Sequence, residues 1–74
     1  MPFIDIAERK NREKGLREGL LKAILLGFKL KFPGQWEQLY EEVRPTEDLA
    51  VLQRTYDAIE GAATPEELRR IWSH

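Results

Sequence analysis

Apolar positions recur at intervals of three and four through most of the chain, and no stretch alternates apolar and polar residues in the two-residue rhythm of a half-buried strand. The pattern predicts an all-α fold, one long N-terminal helix followed by three short ones in a small bundle completed by oligomerisation. The first helix runs from about Phe3 or Ile6 to about Leu30, ahead of Pro33 and Gly34, which forbid its continuation. Trp36, Leu39, Tyr40 and Val43 give the second two amphipathic turns over Gln35 to about Val43, and Pro45 stops it. Thr46 is the expected N-cap of the third, with Glu47 and Asp48 in a first turn where carboxylates meet the positive end of the helix dipole. That helix reaches about Glu60, with Leu49, Leu52, Tyr56 and Ile59 inward, Val51 and Thr55 at their margin, and Gly61 just beyond its end. The fourth carries the clearest start signal: Thr64 as cap, Pro65 at the first helical position and Glu67 to complete a capping box. Leu68, Ile71 and Trp72 form its inward face.

The long helix changes character partway. From Glu8 to Glu18 it is almost entirely charged, with Glu13 to Arg17 and Lys14 to Glu18 spaced as opposite-charge pairs four apart; after Leu20 it is largely apolar. A single domain over residues 1–74 therefore divides into a charged helical arm, 1–19, and a compact part, 20–74. Phe3, Ile4 and Ile6 at the far end of the arm lie roughly 20 Å from the apolar part of a continuous helix, which leaves a partner chain to cover them.

Two rows run at a spacing of four along this helix: small residues at Gly15, Gly19, Ala23 and Gly27, and bulky ones at Leu16, Leu20, Ile24 and Phe28. Residues four apart share a face, so the first row reads as a groove and the second as a ridge able to fill one. A helical glycine costs about 1 kcal/mol relative to alanine, and close approach of another helix is the compensating gain that three of them call for. That other helix belongs either to the same chain or to a second copy. Gly15 and Gly19 sit in the charged arm, beyond the reach of the short helices, which favours the second copy and makes these eight residues the expected interface.

Size points the same way. A chain of 74 residues buries only about 60% of its unfolded surface, so small domains are supplemented by disulfides, metal or self-association. Cysteine is absent and His74 is the lone histidine, which removes disulfide and zinc frameworks and leaves self-association, with a homodimer favoured. The most apolar run, Leu20 to Phe28, is nine residues interrupted by Lys22 and Gly27, against roughly 20 for a bilayer crossing. Asp5, Glu8 and Arg9 interrupt any secretory h-region, so a cytoplasmic location is expected.

Charge is uneven: residues 1–32 carry eight Lys or Arg against four Asp or Glu, residues 33–74 four against nine. A basic helix packing on the acidic remainder of its own or a partner chain satisfies this without a third molecule. The alternative is a DNA-binding accessory arm using Arg9, Lys10, Arg12, Lys14 and Arg17. Glu8, Glu13 and Glu18 interleave with these cations and no aromatic stands among them to stack on bases, so nucleic acid is the less favoured partner. Catalytic constellations are missing. Ser73 and His74 adjoin in a tail with nothing to orient them, Glu41 with Glu42 and Glu66 with Glu67 point about 100° apart on a helix, and no glycine run is followed by Lys-Ser or Lys-Thr. No enzyme activity, cofactor, metal or small-molecule substrate is expected. Phe28, Phe32, Trp36, Tyr40, Tyr56 and Trp72 fall on the apolar faces and read as core.

The segments Glu13-Lys14-Gly15-Leu16-Arg17-Glu18-Gly19-Leu20, Lys31-Phe32-Pro33-Gly34, Ala58-Ile59 and Thr64-Pro65-Glu66-Glu67-Leu68-Arg69-Arg70 resemble, in this order, the C-terminal region of bacterial recombination-promoting nuclease and transposase-like proteins of the PD-(D/E)XK type. The resemblance covers about residues 8 to 72. In that family an upstream domain cleaves DNA and a helical tail of uncharacterised function follows, so the resemblance implies a tail, or a stand-alone relative of it, serving assembly of a larger nuclease-like protein. Glu8-Arg9-Lys10 matches the Glu-x-Lys letters on a helix, without the strands and the partner acid that a nuclease site needs, and no nuclease residue carries over.

Overall fold

The computed structural model describes the backbone of residues 2–73 and the side chains of residues 12–73. Four helices follow in order: α1 (Pro2–Lys31), α2 (Trp36–Val43), α3 (Leu49–Ile59) and α4 (Pro65–Trp72), with no strand among the described residues. Among the described residues, no helix is long and apolar enough to cross a membrane.

The C-terminal half of α1 is the spine on which the short helices pack. Leu21, Ile24 and Phe28, a turn apart on one face, are buried with Phe32 against Leu39 and Val43 of α2, Leu52 and Ile59 of α3, Ala62, and Leu68 of α4. Side chains of this size contribute about 1.5–3 kcal/mol each when fully withdrawn from water. The Phe28 and Trp72 rings meet at 6.1 Å and 56°, a tilted arrangement suited to aromatic quadrupoles, and tie α4 to the spine. Lys29 Nζ lies 4.7 Å from the centre of the Trp36 ring, closing the turn between α1 and α2. Thr55 is the one buried polar side chain among the described residues, and its hydroxyl donates to the Val51 carbonyl at 2.8 Å.

Several local expectations are corrected. Asp48, not Thr46, caps α3: its carboxylate accepts from the Ala50 N–H at 2.9 Å. Residues 44–46 are committed to the turn that ends α2, through Thr46 N–H to Val43 O, and are not free to start a helix. The box at α4 is displaced by one residue. Thr64 is extended and makes no side-chain cap, while Glu67 accepts from the N–H of Ala63 at 2.7 Å. Gly61 follows α3 without entering the left-handed region. Tyr56, expected inward, is 46% exposed, and Thr55 takes the buried position beside Leu52 instead.

The charges also distribute differently from the simple picture of a basic helix on acidic neighbours. The pairs Glu13–Arg17 and Lys14–Glu18 do not form; Arg17 instead donates to the carbonyls of Thr46 (2.9 Å) and Arg44 (2.8 Å). Lys31 donates to the carbonyl of Glu60 at 2.8 Å. Two cations of α1 thus satisfy carbonyls left open where α2 and α3 end, at the negative end of each helix dipole. The carboxylates are used elsewhere. Arg69 of α4 meets both oxygens of Glu42 on α2 at 3.0 and 3.1 Å and Glu66 at 3.0 Å, and its pKa is raised, first by the hydrogen bond to Glu42.

Candidate functional site

A four-residue spacing does not run straight along a helix. Each step of four turns about 400°, so a row drifts about 40° per step and about 120° over four members. The two rows of α1 show this drift in their surroundings. Leu16 is 54% exposed, Leu20 half-buried, and Ile24 and Phe28 fully buried in the core of their own chain. Gly15 and Gly19 face open space, Ala23 is half-buried, and Gly27 lies against α3, where an added Cβ would stand 3.0 Å from Ile59 Cδ1 and 3.2 Å from Cγ2.

The eight expected interface residues therefore split into two groups. Ile24 and Phe28 serve packing within the chain and are corrected as contacts to a second one, and Gly27 is spent on the close approach of α3, though it still borders the surface: the row has rotated under α3 by the time it reaches them. Gly15, Leu16, Gly19 and, in part, Leu20 and Ala23 remain on the surface. The same geometry reveals two members that the four-residue spacing concealed. Leu26 is 59% and Leu30 77% exposed, on the side of α1 turned away from Ile24 and Phe28. Read with three- and four-residue steps, Leu16, Gly19, Ala23, Leu26 and Leu30 form one outward stripe about 21 Å long. Their spacing of three, four, three and four is the heptad seam, a signal present in the sequence and masked by the more conspicuous glycines.

At its C-terminal end the stripe borders a groove of about 370 Å³ between α1 and α3, lined by Gly27, Leu30, Lys31, Tyr56, Asp57, Ile59 and Glu60. Its floor is apolar, where Gly27 lets Ile59 come close. Its rim carries the carboxylates of Asp57 and Glu60, with the Lys31 ammonium held back on the Glu60 carbonyl. The Tyr56 ring stands exposed beside Leu30 because α3 turns it outward.

Of the cations considered for nucleic acid, Arg17 is occupied by the two loop carbonyls, Arg12 and Lys14 are exposed, and the side chains of Arg9 and Lys10 lie outside the described residues. Phe3, Ile4 and Ile6 lie outside them as well, as does His74; Ser73 is an exposed C-cap. No group of three or more His, Cys, Asp or Glu side chains gathers in metal-binding geometry among the described residues. Comparison of the chain with protein-family models, with curated proteins and with solved structures gave no match.

Proposed function

We propose that the chain is a non-catalytic self-association module that forms a homodimer through the outward stripe of α1. One observation carries the reading: α1 is apolar on two opposite sides, and only one of them is covered by its own chain. Leu21, Ile24 and Phe28 fill the inner side, whereas Leu16, Leu26 and Leu30, each more than half exposed, stand on the outer. An exposed apolar patch on a small protein marks an interaction surface. The open glycines add to this, since nothing within the chain uses the space beside Gly15 and Gly19 and each lowers the helix's own stability.

The mass in solution tests the reading. Light scattering after gel filtration is expected to give a dimer for the natural sequence and a folded monomer for Leu26→Glu/Leu30→Glu, because both side chains already stand in water and their replacement leaves the core intact. A natural chain that stays monomeric at high micromolar concentration rejects it.

A further inference from the structure

The dimer reading leaves the direction of the partner helix open, and the groove beside Leu30 supplies it. Extended one step toward the N-terminus, the stripe begins with Arg12, four residues before Leu16 and exposed. We propose, resting on the self-association reading, that two copies pair antiparallel, with Arg12 of each seated in the α1–α3 groove of the other. Matching the heptad positions in opposite directions sets Gly19 against Ala23, Leu16 against Leu26 and Arg12 against Leu30. The smallest side chains then lie at the two-fold axis, where the backbones come closest, and leucines flank them.

Charge selects this direction over the parallel one. In the antiparallel pair the Arg12 stem lies along Leu30 and the Tyr56 face while its guanidinium reaches Asp57 and Glu60. Asp57 keeps acceptor capacity for this, since only its Oδ1 is engaged, by Gln53 Nε2 at 3.1 Å. An in-register parallel pair opposes Arg12 to Arg12 and leaves the groove unfilled. The antiparallel pair thus sets Arg12 of each copy on the carboxylates of Asp57 and Glu60 of the other, where the parallel one sets it on its own counterpart.

The chain has no cysteine, so single cysteines report the arrangement directly. In the proposed pair Leu16 of one copy lies about 15 Å along the axis from Leu16 of the other, beyond the reach of a disulfide. Oxidation of Leu16→Cys alone, or of Leu26→Cys alone, is expected to leave uncross-linked chains, and a mixture of the two to give a covalent dimer. Arg12→Glu is expected to weaken the dimer about tenfold, and mixing it with Asp57→Lys/Glu60→Lys to restore assembly as a heterodimer. A natural chain that is dimeric, with Leu16→Cys cross-linking to itself or Arg12→Glu without effect, overturns the arrangement and keeps the self-association. A natural chain that is monomeric overturns both.

Discussion

Three glycines of one helix, alike in sequence, occupy different environments and should answer to substitution differently. Gly15 and Gly19 have nothing within 4 Å of an added Cβ, so Gly15→Ala and Gly19→Ala are each expected to raise the stability of the monomer by about 1 kcal/mol, the helix propensity difference alone. At Gly27 the same methyl meets Ile59 Cγ2 at 3.2 Å and Cδ1 at 3.0 Å. The Cδ1 end can rotate away but Cγ2 is fixed to the branched carbon, so Gly27→Ala is expected to lose the propensity gain and Gly27→Leu to destabilise by about 1–3 kcal/mol through overpacking. Urea denaturation at low micromolar concentration measures all four. The residue pattern made the row visible and could not tell its members apart, because the 40° drift of a four-residue step becomes a difference in neighbours only once α3 is in place. Leu26 and Leu30 do not stand out in the sequence for the related reason that a stretch as apolar as Leu20 to Leu30 has no evident outside until one side is covered.

At the scale of elements, the number, order and ends of the helices were legible to within a residue or two, since Pro33, Pro45 and Pro65 punctuate the chain and the apolar faces of α2 and α4 are unambiguous. What sequence did not disclose is how the elements are held at their ends. Thr46 and Asp48 are equally good caps by type, and the choice falls on Asp48 because Arg17, 29 residues earlier, together with the turn after Val43, holds Thr46. Arg17 is therefore the residue that fixes the arm to the α2–α3 connection. Arg17→Met keeps the aliphatic stem and removes both hydrogen bonds, and the expected loss is about 1 kcal/mol, moderated because the Thr46 and Arg44 carbonyls can turn to water. Native-state hydrogen exchange should speed up at residues 44–48 and in the first turn of α3, with α4 unchanged; uniform acceleration across all four helices contradicts this role.

For the molecule as a whole, the long first helix makes the chain more extended than its size requires. Its accessible surface is 5465 Å², against about 4,700 Å² for a compact monomer of 8.7 kDa, and its radius of gyration is 13.9 Å, against about 11 Å for 74 residues. The excess comes to about 700 Å². It arises from α1, which runs on past the bundle to give an extent of 48 Å in one direction and only 23 and 19 Å in the others. Salt then distinguishes the two directions of pairing by the sign of its effect. Where Arg12 of one copy lies on the Asp57 and Glu60 carboxylates of the other, shortening the Debye length from about 10 Å at 0.1 M to about 3 Å at 1 M removes attraction and the dimer dissociates more readily. Where Arg12 faces its own counterpart, the same screening removes repulsion and the dimer tightens. The apolar seam contributes in both and, if anything, tightens with salt, so a Kd that rises severalfold between 0.1 and 1 M in sedimentation equilibrium has to come from complementary charge. That rise is the expected result, largely abolished in Arg12→Ala; a Kd that falls with salt in the natural chain contradicts the antiparallel pair.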